Sequence, residues 1–561
     1  MHDLAIRNAK ICDGTGEKIF SGELAVTDGL ISEISGIVGP ARENVDAKGK
    51  VLAPGIIDNH THYDAQITWD PFASPSLGLG VTTMIMGNCG FTIAPCRARD
   101  RELTLKNLTQ VEGMSLDALL EGTRSDYETF SDYLDLLDGQ GVVPNVAVYC
   151  GHSSVRNWVM GEAAAQRTAT EKEIDAMKSL VREALEAGAI GFATSTFEGH
   201  NGWGGRPMPS RFADRTELEA LVGVLGEAGA GRFMLTKGRS TPVEYLETLA
   251  AATGRTVAVA AIQYDHSSPD RAFNDMAAIG AAVDRGRSMV GQVACTAISM
   301  DFTLRSAYLF EPCETWRPAI ALYDDVERLA TFYADPAFRD AMRAELTDPA
   351  ALNRFTDQWD KLEILQVARD ENRTLEGRMV GEIAAAEGKD PLDWLLDFGA
   401  SEGFETLFNA QILNADDDAV LRLLKDPNAT IGLADAGAHL FLFCDADFGL
   451  HLLGHWTRER QDFTLEEAVA ALTSKQADCY GIRGRGRLRK GYHADLIIFD
   501  PETVGRGRKE RVWDLPAGAS RLVRGGSGLT GIWVNGVRVA DEGGVYGDDR
   551  RPGQVLRAFD G

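Results

Sequence analysis

Cysteine is scarce in this 561-residue chain, with eight residues at positions 12, 89, 96, 150, 295, 313, 444 and 479. Such spacing excludes a disulfide framework and reads as reduced thiols, most of them core residues. No run of about 18 apolar residues occurs, so no segment suits a bilayer span. The opening MHDLAIRNAKICDGTGEK has no basic leader followed by an apolar core. Cations are outnumbered, 57 Lys and Arg against 83 Asp and Glu, for a formal charge of −26. That excess repels phosphate backbones and anionic lipid, so neither nucleic acid nor a membrane is an expected partner. The expectation is a soluble cytoplasmic protein acting on a small molecule, with homo-oligomerisation left open.

What is present divides the chain. Residues 1–54 alternate, with Gly and Asp turns every eight to twelve residues, and the same texture returns over 481–561 in GRLRKGYHADLIIFDPETV and LTGIWVNGVRVADEGG. The two ends are expected to build one small β-sandwich with everything else inserted between them. Over 55–480, short Val-, Ile- and Ala-rich runs recur between segments of helical period such as EKEIDAMKSLVREALEAGA (171–189). Eight candidate strands end at GIIDNHTH, GVTTMIMGNCG, VPNVAVYCGH, GAIGFATS, GRFMLTKG, RTVAVAAIQYDH, SMVGQVACT and ATIGLADAG. Strands alternating with helices predict an α/β fold, a (β/α)8 TIM-like barrel. The stretch at about 305–410, with helical segments DPAFRDAMRAEL and DPLDWLLDFGA, is too long for a crossover and reads as an insertion over the barrel mouth.

Reactive groups in such barrels lie at the carboxyl ends of strands. The predicted strand ends carry His60, His62, Cys89, His152, Lys237, His266 and Asp435. In APGIIDNHTHYD (53–64), alternate side chains share a face, so His60 and His62 project together while Asn59 and Thr61 point away. Two imidazoles with a thiolate and a carboxylate on later strands suit a borderline-soft ion such as Zn²⁺.

VLAPGIIDNHTHYD followed by LGLGVTTMIMGNCGFTIAP resembles the amidohydrolase superfamily, and GNCG narrows the resemblance to the N-acyl-D-amino-acid deacylase, or D-aminoacylase, family. It extends over nearly the whole chain. The resemblance implies that His60, His62, Cys89 and His266 are metal ligands for one or two zinc ions. It further implies that Asp435, in GLADAGAH, is the general base for a metal-activated water that cleaves an amide C–N bond. His152, His200 and His439 are open between roles as satisfied or solvent histidines and contact with substrate or with the ligands.

Two departures stand out. Where the family has a fifth-strand histidine in a Thr-His-x-Arg context, the text here is FMLTKGRS, with Lys237 at the ligand position and Arg239 two residues on. An ammonium cannot bind a cation. Three readings stay open: Lys237 is a carbamate bridging two metals, an amine of depressed pKa that ligates weakly or orients substrate, or a cation standing in for one metal. The family lysine that holds the substrate carboxylate is replaced by Ser268 in HSSPDR. Arg239, Arg271 and Arg305 are substitute anchors by position, and Arg239, His152 and Ser268 are taken as substrate-contacting candidates. The functional expectation is deacylation of an N-acyl-D-amino acid or related N-acyl compound. A cyclic-amide hydrolase of hydantoinase type and a non-catalytic binding protein with a degraded metal site are the alternatives.

Overall fold

The computed structural model describes residues 1–348, 355, 357–440 and 444–560. Eight parallel strands form the central sheet: Ile56–Asp58, Val81–Met86, Asn145–Gly151, Gly191–Ser195, Arg232–Thr236, Val257–Ile262, Met289–Ala294 and Ala429–Gly432. They pair in chain order, and a parallel bridge between Thr61 and Ala436 joins the first to the last. Each of the eight expected strands is present. Their near-continuous apolar text follows from burial on both faces, by the barrel interior and by the surrounding helices.

The helix over Glu171–Ala187 shows how local sequence builds the outer ring. Thr170 caps it, its hydroxyl accepting from the Glu173 backbone N–H while the Glu173 carboxylate accepts from Thr170 N–H at 2.7 Å. Ile174, Met177, Val181 and Ala184, spaced three or four apart, form the buried stripe, and Gly188 at φ +109° ends the helix.

Both chain ends contribute to a single nine-stranded sheet, in which strand Val51–Pro54 pairs with Leu496–Phe499 antiparallel. Leu4, Ile6, Leu24, Leu52, Leu496, Ile498 and Trp533 pack as a core on it. Asp495 ties this sheet to the barrel. Its carboxylate pairs with buried Arg485, accepts from Asn145 Nδ2 at the start of the third barrel strand (3.2 Å) and accepts from Asn535 N–H (2.8 Å).

The insertion starts earlier than its composition suggests. Strand Ile298–Phe302 follows the seventh barrel strand almost at once and pairs with Leu407–Leu413, which also pairs with Leu362–Gln366. The expected helices are there, over Pro336–Thr347 and Pro391–Ser401, each opened by an Asp cap (Asp335, Asp390) followed by Pro at the first helical position. An aromatic-rich core of its own, including Phe310, Trp316, Tyr333 and Phe408, holds it together. Residues 349–354 and 356 of this insertion lie outside the described residues. No helix among the described residues is long and apolar enough to cross a membrane.

Asp495→Asn leaves Arg485 charged and buried without its counter-ion, so it is expected to lower stability by about 3–5 kcal/mol. A urea midpoint equal to that of the wild type would contradict this assignment.

Candidate metal centre at the barrel mouth

His60 and His62 leave the first barrel strand on its inner side, with ring centroids 5.2 Å apart. The residues between and before them are fixed elsewhere. Asn59 donates to Gln476 Oε1 at 2.7 Å and accepts from Leu433 N–H, and the Thr61 hydroxyl donates to Ile85 O. The alternation expected of an extended chain therefore carries past the strand end.

Cys89 sits in the tight turn after the second strand, at φ +56°. The two glycines of GNCG explain how a cysteine can be aimed there. Gly87 and Gly90 both have positive φ, and a Cβ on Gly90 would lie 2.5 Å from Ala193 O. The Cys89 sulfur is 3.5 Å from His60 Nε2 and 3.0 Å from Thr236 Oγ1. Ligand atoms of His60, His62 and Cys89 all lie within 4.8 Å of one another, and all three residues are buried.

Asp435 completes the constellation from the eighth strand end. Its Oδ1 is 3.0 Å from His62 Nε2 and 3.3 Å from His60 Nε2, and its Oδ2 is 3.5 Å from His439 Nε2. Burial alone would raise its pKa, but His439, His60 and His62 together hold it well below the usual carboxylate range. Burial likewise opposes charge on Cys89, yet His60 and His62 bring the thiol below its ordinary value. Against the same opposing burial, Cys89 and Asp435 push His60 up to about 10.

The donor set fits a metal. Two imidazoles and a thiolate are borderline-soft ligands, and their orientation is fixed from behind. His60 Nδ1 is 2.8 Å from Gln292 Oε1, and Gln292 Nε2 in turn donates to Tyr480 OH, which turns His60 Nε2 toward the sulfur. Glu112, buried at the end of helix Arg101–Val111, places Oε1 3.1 Å from His62 Nδ1, close but not aligned as a hydrogen bond. Gln292 had a signal in the sequence, a lone amide inside the apolar run MVGQVA; Glu112 reads as an ordinary helix-end carboxylate.

Other expected residues lie elsewhere. Among the described residues the ligand group holds only His60, His62 and Cys89. His266 is exposed in the turn after the sixth strand, outside that group. Lys237 pairs with Asp275 of helix Arg271–Asp284 at 2.9 Å. The reason is register: Thr236 takes the position facing Cys89, so its neighbour Lys237 points to the other side. His152 is a structural histidine, fully buried between Thr194 Oγ1 (2.7 Å) and Glu217 Oε1 (2.8 Å), with Arg156 on the other oxygen of Glu217. Arg239 and Ser268 are exposed. Arg271 pairs with Asp265 and Arg305 with Glu405. Of the three open histidines, His439 and His200 belong to the site: His200 lies edge-on to Phe91, which stacks on His62.

Two buried imidazoles and a thiol, with a carboxylate beside them, gather at the carboxyl ends of an eight-stranded parallel barrel, where barrel enzymes carry their reactive groups. The chain belongs to the amidohydrolase family, whose profile matches residues 43–540. It is similar to an N-acyl-D-aspartate deacylase of Alcaligenes xylosoxydans xylosoxydans, 27% identical over 100% of this chain and 95% of that protein. Among solved structures it is similar in fold to D-aminoacylase, with TM-score 0.67, 24% identity and full coverage of both chains. It is also similar to the N-acyl-D-glutamate deacylase of Bordetella bronchiseptica complexed with zinc and a phosphonate inhibitor, with TM-score 0.66, 26% identity and coverage of 99% and 100%.

Cys89→Ala is expected to leave the purified, zinc-dialysed protein with markedly less than the wild-type metal content by elemental analysis, whereas Lys237→Ala and His266→Ala retain it. Retention in Cys89→Ala, or loss in either of the others, reassigns the ligands.

Proposed function

We propose that this chain is a zinc-dependent amidohydrolase that deacylates an N-acyl-D-amino acid or a related N-acyl compound, releasing carboxylate and amine. The observation that carries the proposal is the His60, His62 and Cys89 group with Asp435 against both imidazoles. The names of the similar deacylases support the substrate class.

When bound, a zinc ion in this group supplies a Lewis acid for the scissile carbonyl and activates water near neutral pH. The chain does the rest. Gln292 holds the His60 ring, Glu112 places its charge beside His62, and Thr236 meets the Cys89 sulfur. Asp435, kept ionised by its histidine neighbours, accepts the proton of the attacking water and returns it to the leaving nitrogen. His439 beside Oδ2 steadies that carboxylate.

Lys237 enters the proposal as an ammonium. A carbamate at its position would set an anion against Asp275, so we assign one ion to the site and give Lys237 no part in holding it. That removes the feature that favoured a hydantoinase-type reaction. Arg271 and Arg305 are committed to Asp265 and Glu405, which leaves exposed Arg239 as the remaining anchor for a substrate carboxylate and widens the proposal to neutral N-acyl compounds.

A panel of N-acyl-D-amino acids, N-acyl-L-amino acids, neutral N-acyl amines and cyclic amides tests the reading. Turnover of an open-chain N-acyl compound is expected; turnover of cyclic amides alone overturns it. Asp435→Asn should lower kcat by about 10²–10⁴-fold while zinc stays bound. If activity survives that substitution, the base lies elsewhere.

A further inference from the structure

His200 is a second histidine device at this mouth, built differently from the ligand pair. The fourth barrel strand ends at Ser195, which is fully buried. The Ser195 hydroxyl oxygen accepts the Phe197 backbone N–H at 3.2 Å and lies 2.6 Å from His200 Nδ1. Among the described residues it has no other partner, so the hydroxyl hydrogen has one place to go, the Nδ1 lone pair. Nδ1 is then an acceptor and the ring proton resides on Nε2.

The ring is also kept neutral by its surroundings. It sits edge-to-face between Phe91 (4.9 Å, 73°) and Phe197 (5.1 Å, 87°), with no carboxylate hydrogen-bonded to it among the described residues. Burial first, then the charge of His439, brings its pKa down to about 3, against the opposite pull of Asp435. Phe91, edge-on to His200, in turn stacks on His62 with ring centroids 6.4 Å apart, so a single ring separates His200 from the ligand group. A neutral N–H already in place needs no reorganisation to meet an oxygen that becomes negative during reaction.

We propose that His200, as its Nε2–H tautomer, donates a hydrogen bond to the amide carbonyl oxygen as that oxygen gains negative charge. The proposal rests on the amide-hydrolase reading above. No bond to His200 forms or breaks, and its proton stays on Nε2 throughout. Ser195 is the positioning residue that sets the tautomer.

His200→Phe keeps a flat ring between Phe91 and Phe197 and removes the donor, while His200→Gln restores an N–H donor. On the N-acyl substrate that the wild type turns over, His200→Phe is expected to lower kcat by about 10²–10³-fold. KM should change little and zinc content should stay unchanged, while loss of the Ser195 partner lowers the melting temperature slightly. His200→Gln should recover part of the loss. Nitrogen-15 spectra of histidine-labelled protein, assigned by difference with His200→Phe, should show Nε2–H at neutral pH. Unimpaired kcat in His200→Phe overturns the proposal, as does loss of zinc, which would make His200 a ligand. An Nδ1–H or doubly protonated ring overturns it whether or not any substrate is found. Absence of amide turnover by the wild type, with the Nε2–H tautomer present, is failure of the amide-hydrolase reading itself.

Discussion

The site depends on one seam, where the chain leaving the first barrel strand meets the chain leaving the eighth. His62 N–H donates to Ala436 O at 2.7 Å, Asp435 N–H donates to His60 O at 3.1 Å, and Thr61 bridges Ala436. These backbone bonds close the barrel and set Asp435 against the two imidazoles in the same act. A left-handed backbone at Asp435, φ +52°, is held by that seam.

Around the seam, the reactive side chains each meet a second residue. Tyr480 fixes Gln292 and Gln292 fixes His60; Glu112 approaches His62 from the helix side; Thr236 meets Cys89; Ser195 meets His200. Of the two candidate imidazole ligands, His60 has its second ring nitrogen committed, to Gln292. The two kinds of histidine at the mouth differ for electrostatic reasons. His60 and His62 face the Asp435 carboxylate, whereas His200 faces Phe91, Phe197 and the Ser195 hydroxyl.

Much of the fold was legible in the sequence because its signals are local. All eight barrel strands announce themselves as short apolar runs, and the Asp-Pro starts of the insertion helices and the Thr170 capping box mark helix ends directly. Cys89 was legible through the family resemblance that GNCG carries. Lys237, His266 and His152 were harder, since their strand-end positions looked alike in text while their directions depend on register. One residue of shift sends Thr236 inward and Lys237 out to Asp275, and burial against Glu217 turns His152 into a packing group. Glu112 was hidden altogether, because nothing in a helix-end glutamate tells which strand it will approach across the barrel.

The central claim is that the metal is held by a thiolate and two imidazoles at this seam. X-ray absorption at the zinc edge of the reconstituted protein tests it most directly. The account predicts one sulfur scatterer in the ligand shell alongside imidazole nitrogens, with the sulfur lost in Cys89→Ala. A shell of nitrogen and oxygen alone in the wild type would contradict it.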